Sequence, residues 1–214
     1  MTDTLVRIAT PRKRDGDERR RELCDAGIRV LAEQGSRGLT HQQVDRAANV
    51  PDGTTSYYYR TRAALLRGVG ERVAAIDREN LRSFTDAATK TDSPFGRLAE
   101  LIVMQSRGDG LLLNIARQEL LLAGARDPAL AETFELFVSR VVAMTHDAIA
   151  ALNFGPVDED VRNAQGDAVI TLIAGLFTRY ASGDRSMSDA KHIERLLEAV
   201  VTGIATQALE HARD

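Results

Sequence analysis

Apolar residues recur at helical spacing through most of the chain, and the strict alternation of a half-buried strand is found nowhere in it. The first stripe, Cys24, Ile28 and Leu31, predicts a helix over 17–34, with Gly35 as its left-handed cap. Val44, Ala47 and Ala48 form the inner side of a short second helix, opened by Thr40, whose hydroxyl can accept from a free N–H of the first turn. Asn49 tolerates the left-handed backbone of a sharp turn, and Val50 is an apolar plug behind it. Pro51 suits a helix's first turn, so a third helix is expected over 52–59. Thr61 caps a fourth, from 62 to about 84, and a polar connector follows to Ser93. Further helices are expected over 94–107, 111–123, 128–152, 158–181 and 189–211, with Gly108, Gly110, Gly124 and the turn 153–156 between them. The expected fold class is all-α, with about nine helices.

Two of these helices differ from the rest. Between Ala168 and Phe177 there is almost no polar face, and Ile193, Leu196, Leu197, Val200, Val201 and Ile204 make a wide stripe. Such helices need covering on more sides than one small core supplies.

Residues 52–59 are unusual in the opposite sense. Gly53, Thr54, Thr55 and Ser56 are poor helix formers, so intrinsic propensity does not account for a helix here. Contact with DNA does: small residues at a helix start let the backbone approach a phosphate or base edge, while hydroxyls and phenols supply hydrogen bonds. Tyr57, Tyr58 and Tyr59 point in three directions, so at least one faces inward. With Val44, Ala48, Val50, Gly53, Thr54, Tyr58 and Tyr59 at their present spacing, and Leu23, Asp25, Ala26, Ile28, Val30, Leu31, Glu33 and Gly35 upstream, the chain resembles the TetR family of transcriptional regulators. The resemblance spans roughly residues 20–66; beyond it only length and helical character agree. Departures from the family pattern are Asp45 for Ala, Asn49 for Gly, Thr55 for Leu, Ser56 for Tyr, Arg62 for Lys and Ala63 for Glu.

The resemblance implies a basic arm (1–16), a helix-turn-helix head (17–62) and a helical body for ligand binding and dimerisation (63–214). It implies a repressor that binds a palindromic double-stranded DNA operator as a homodimer and is released by a small effector. The expected DNA-contact set is Thr40, His41, Gln42, Gly53, Thr54, Thr55, Tyr57, Tyr58 and Arg62. Tyr57 is expected to read bases and Arg62 to clamp a phosphate, while Thr55 and Tyr59 have packing inward as their alternative. Helix four is the natural lever between head and body. A mainly apolar effector is expected against Met104, Phe134, Phe137, Val141, Phe177 and Tyr180, with Gln105, Asn114, Gln118, His146 and Gln165 as its polar partners. The same aromatics could equally fill a core, and each polar residue could equally face solvent. The dimer seam is expected at Leu172, Gly175, Leu176, Leu197, Val201 and Ile204, the glycine, with Gly203, permitting close crossing in a four-helix bundle.

Composition changes this picture little. The chain is 43% apolar and 28% charged, with a net charge of −3 that does not announce nucleic-acid binding. Its distribution is more telling: residues 1–62 hold 12 Lys and Arg against 9 Asp and Glu, the remainder 16 against 22. A lone cysteine excludes an internal disulfide and a multi-cysteine zinc site, and Cys24 on its apolar stripe reads as a core residue. No phosphate-binding glycine loop and no paired histidines point to catalysis, so neither enzyme activity nor a cofactor or metal is expected. No apolar run is long enough to span a bilayer and no signal core opens the chain, so a cytoplasmic protein without membrane contact is expected. A ligand-independent regulator or activator is the alternative, and a helical enzyme or a protein-binding adaptor is more remote.

Overall fold

The computed structural model of the protein describes residues 16–86, 93–152 and 158–211. Among the described residues there are nine helices and no strand: α1 (Gly16–Gly38), α2 (His41–Ala47), α3 (Thr54–Tyr58), α4 (Arg62–Asp86), α5 (Gly96–Met104), α6 (Gly108–Gly124), α7 (Pro128–Ala151), α8 (Glu159–Ala181) and α9 (Ala190–His211). The expected basic arm and the turn 153–156 lie outside the described residues. None of these helices is long and apolar enough to cross a membrane.

Caps and turns set the boundaries. Thr40 Oγ1 accepts from Gln43 N (3.2 Å) and Thr61 Oγ1 from Ala64 N (3.1 Å), so both starts fall where their hydroxyls place them. Asn49 takes the left-handed conformation (φ 52°) between α2 and α3. Asp127, Asp158 and Asp189 each accept a backbone N–H at the starts of the last three helices.

Two boundaries depart from expectation, and Gly35 (φ 67°, ψ −178°) breaks the regular helix of α1 where its left-handed cap is expected. The Glu119 carboxylate on α6 accepts Ser36 N at 2.7 Å, and the chain resumes a helical turn to Gly38. The third helix is shorter than 52–59, because Pro51 and Gly53 (φ 89°) belong to the turn and helical backbone begins only at Thr54. The glycines expected to precede α6 form its first turn instead. A Cβ on Gly110 would lie 2.0 Å from the Met104 carbonyl oxygen, so only glycine lets α5 end this close to α6.

Two apolar cores result. In the first, Leu23, Ile28, Leu31, Val44, Leu65 and Val69 from α1, α2 and α4 pack with Leu113 and Leu120 of α6 and with Leu130 and Phe134 of α7. The head therefore shares its core with the body across the boundary drawn at residue 62. The second joins α5, α7, α8 and α9 through residues such as Phe95, Ile102, Ile149, Val169 and Ile193. Leu176, Leu197 and Val201 lie in this core with 1% exposure or less, so their expected place on a dimer seam is corrected: a side chain already removed from water within the subunit adds no area to a contact between subunits. Leu172 and Ile204 are half-buried and Gly175 is exposed, with nothing within 4 Å of where its Cβ would be.

Candidate nucleic-acid interface

A five-residue helix of Thr-Thr-Ser-Tyr-Tyr has too few hydrogen bonds to hold itself together, so what fixes it must come from outside. That support is Asp45. Its side chain is 1% exposed, and its carboxylate accepts from Gly53 N (2.8 Å), Thr55 N (2.7 Å) and Thr55 Oγ1 (2.5 Å). These charge-assisted bonds satisfy first-turn N–H groups that would otherwise be unpaired. The Asp45 and Thr55 departures from the resembled pattern are thus one feature, a buried polar contact between α2 and α3. Sequence reading missed Asp45; its signal is an acid eight residues before a turn glycine and ten before a threonine.

The opposite end is held by His41 and Tyr59. His41 Nε2 donates to the Tyr59 carbonyl at 2.7 Å, and the Tyr59 hydroxyl lies 3.0 Å from Cys24 Sγ. Burial, chiefly, raises the Cys24 thiol to about 11 and also raises the Tyr59 phenol. Tyr59 packs so closely on α4 that a Cβ at Gly68 would meet its ring at 2.5 Å.

The expected contact set divides accordingly. Gln42, Gly53 and Tyr57 are exposed, Tyr57 at 74%, and Thr54 is half-exposed with its hydroxyl on the Pro51 carbonyl (2.6 Å). Tyr58 is half-buried, edge-on to Tyr57 (5.1 Å between centroids) and beneath the Arg20 guanidinium at 5.4 Å. Thr40 is exposed but caps α2. One expectation needs correcting, that for Thr55, and two further residues are engaged within the head. Thr55 is fully buried, because its hydroxyl serves Asp45. His41 orients the end of α3 rather than facing outward. Arg62 is turned back on the head, donating through Nε to the Leu39 carbonyl (3.2 Å) and through Nη2 to the Ser36 carbonyl, which closes the α1–α2 link. What remains outward on α3 is a tyrosine flanked by small hydroxyl residues, on a helix whose other sides are all engaged.

The residues expected around a ligand are not brought into one place. Met104 and Gln105 border a cleft of about 760 Å³ between α1, α4 and the α5–α6 junction, floored by Ile28, Ile76, Leu112 and Leu113. Phe134 packs in the first core, and Val141, Phe177 and Tyr180 in the second. Tyr180 donates its hydroxyl to the Met187 carbonyl. Asn114 and Gln165, both fully buried, donate to the carbonyls of Phe177 (2.8 Å) and Val201 (2.9 Å), and their amide oxygens have no partner among the described residues. His146 is exposed against Gly166, and Gln118 is half-buried. Arg117 of α6 is 1% exposed. It makes a paired contact with Asp77 of α4 (2.9 and 2.6 Å), lies 3.3 Å from Gln105 Oε1, and stacks under Phe137 at 4.7 Å.

The all-helical architecture as a whole is shared with solved proteins. A proposed TetR-family transcriptional regulator from Rhodococcus sp. superposes with a TM-score of 0.65 and 22% identity, over 88% of this chain and 99% of that one. The chain has the TetR fold. The same fold relates it to the multidrug binding protein EbrR complexed with ethidium (TM-score 0.59, 22% identity, 86% and 98% covered). A proposed transcriptional regulator from Saccharomonospora viridis in complex with choline gives 0.69 at 14% identity over 87% and 96%. In sequence the chain is 25% identical over 164 residues to an HTH-type transcriptional regulator BetI of Agrobacterium fabrum, 76% of this chain and 77% of that protein. No protein-family model matches the chain.

Proposed function

We propose that the protein is a DNA-binding transcriptional regulator, a repressor that binds a two-fold symmetric operator as a homodimer and leaves it when a small ligand binds the body. The observation that carries this reading is α3 itself. Its inner side is fixed by Asp45, Thr55 and Tyr59, while Tyr57 extends into solvent at 74% exposure beside exposed Gln42 and Ser56. A large amphipathic ring has no packing reason to stand free on a fixed helix, and its hydroxyl and edge suit a major-groove contact. A symmetric dimer is supported by α8 and α9, where Gly175 and Gly203 have open space outside them and Val161, Ala164, Ile204 and Ala208 form an apolar hollow.

For the ligand, the cleft holding Met104 and Gln105 is the better candidate, because it touches α1 and α4 together. Ethidium and choline, held by proteins of the same fold, are organic cations. Here the carboxylates on the cleft, Asp25 and Asp109, are matched by Arg29, Arg72 and Arg107, and Asp25 is already paired with Arg72. A neutral, mainly apolar molecule with one acceptor for the Gln105 amide fits the cleft better.

The test is to select DNA from a random pool with purified protein, measure binding to the selected sequence and to unrelated DNA, and repeat with Tyr57→Ala. Specific affinity should fall about tenfold or more, at about 1–3 kcal/mol for a lost base contact, with thermal stability unchanged. A chain that enriches no sequence, or a variant that reads the operator as well as the parent, would sink the proposal.

A further inference from the structure

On the face of α4 turned toward α7, away from the Asp77–Arg117 pair, lies a second hollow of about 340 Å³. Its floor is apolar, formed by Leu81, Leu136 and Met144. Its rim carries three guanidinium groups: Arg78 and Arg82 one turn apart on α4, and Arg140 across from them on α7. Asp147 is the acid on the rim, and the nearby Glu79 reaches only Arg82, at 3.6 Å between two largely exposed side chains. Arg78 and Arg140 make no ion pair among the described residues. Three cations gathered round an apolar floor repel one another and leave that floor wet, an arrangement improved by one kind of occupant, an anion with an apolar tail. The linear order gives no hint of the cluster, since 62 residues separate Arg78 from Arg140.

The place matters as much as the chemistry. Helix α4 meets α7 at Gly70, where a Cβ would lie 2.6 Å from Leu130 Cδ1, and Arg67 pairs with Asp127 beside it (3.0 and 3.2 Å). Arg62, which holds the head, and Arg78, which faces the hollow, each lie eight residues from Gly70, about 12 Å of helix. Because α4 is one continuous helix from Arg62 to Asp86, a shift of it against α7 at the hollow is carried to the end that holds the head.

We propose that this hollow binds a small carboxylate with an apolar tail, of the fatty-acid class, bridging Arg78 and Arg82 to Arg140 and drawing α4, with α6 locked to it by the Asp77–Arg117 pair, toward α7. Its effect on DNA rests on the regulator reading above; its binding does not. The experiment uses the full chain and decanoate in titration calorimetry, with decyltrimethylammonium (same tail, opposite charge) and butyrate (charge, little tail) as comparisons. Decanoate should bind at least about tenfold more tightly than either, and Arg140→Gln and Arg78→Gln, exposed positions whose loss leaves the helix content unchanged, should each weaken it by about fivefold or more. Equal binding of the two ten-carbon amphiphiles, or decanoate binding that survives both substitutions, overturns the site. Decanoate should also lower affinity for selected operator DNA in the parent and not in Arg140→Gln; an unchanged DNA affinity in a decanoate-loaded parent overturns the lever. If the chain selects no DNA at all, the calorimetry alone still upholds or overturns the site, and the failure belongs to the regulator reading.

Discussion

Replacing Asp45 with alanine removes one carboxylate and leaves three donors, Gly53 N, Thr55 N and Thr55 Oγ1, without an acceptor at the α2–α3 contact. Hydrogen bonds to a charged group are worth about 1.5–3 kcal/mol each, and a stranded buried donor costs about 1–3 kcal/mol, though bonds sharing one acceptor do not sum. A loss of roughly 3–4 kcal/mol follows, or about 6–16 °C in Tm for a domain of this size. Thr55→Leu alone also destabilises, since it removes a partner from a carboxylate that is 1% exposed. Asp45→Ala with Thr55→Leu should behave differently. The pair becomes the alanine and leucine of the resembled family pattern, and an apolar contact fills the space where the polar one stood. The double variant should therefore be more stable than the sum of the singles by about 2 kcal/mol, a coupling well above the ~0.5 kcal/mol scatter of independent sites. Denaturant unfolding of the four proteins, followed by circular dichroism, measures it. Additive losses would show that the carboxylate does not hold α3 through Thr55.

Three further outcomes are expected. Arg62→Ala should lower Tm by about 2–4 °C per kcal/mol of lost bonding to the Ser36 and Leu39 carbonyls while leaving the salt dependence of non-specific DNA binding unchanged; a slope reduced by about one per half-site would restore the phosphate clamp. Leu197→Glu, in the subunit core, should unfold the chain, whereas Ile204→Glu, on the outer hollow, should give a folded monomer in sedimentation; a folded Leu197→Glu monomer would reverse that assignment. Cys24, held protonated by burial with its pKa at about 11 against an ordinary 9.0, should resist thiol reagents at pH 8 until the chain is unfolded. The stability linked to that thiol is complete below pH 9 and lost as pH rises toward 11, so alkaline unfolding that ignores Cys24→Ser would speak against it.

The helices and their order were legible because capping residues and apolar stripes are local signals: Thr40, Asn49, Thr61, Asp127 and Asp189 act within a turn of where they stand. What escaped is what depends on distant partners. Glu119 holds the turn after Gly35 by accepting Ser36 N, 83 residues away, and Arg117 is a core residue only because Asp77 meets it from α4. The polar side of α6, read along the chain, gives no sign that two of its charges serve other helices. Likewise the apolar stripes of α8 and α9 mark faces that are largely buried, but periodicity cannot say whether a position is fully covered within the subunit, as at Leu197, or only partly, as at Ile204.

The ties on α4 bear on how a signal could travel. Arg62 fastens its start to the α1–α2 link, Arg72 pairs with Asp25 of α1 (2.7 and 3.2 Å), and Asp77 pairs with Arg117 of α6. Helix α6 in turn grips α1 at Ser36 through Glu119. The head is thus held by two helices that are themselves locked together by a buried ion pair, so α4 cannot tilt alone without straining either that pair or the Glu119 contact. Parting Asp77 from Arg117 would leave two charges buried and unpaired, at several kcal/mol each, more than a small ligand readily supplies. Movement that keeps the pair and lets α4 and α6 shift together against α7 slides the apolar contact of Leu130 and Phe134 with α4 and loosens the exposed Arg67–Asp127 bridge, and strands no buried charge. Coupling between ligand and DNA should therefore run through the α4–α7 seam, and the Asp77–Arg117 pair is the rigid part of the device.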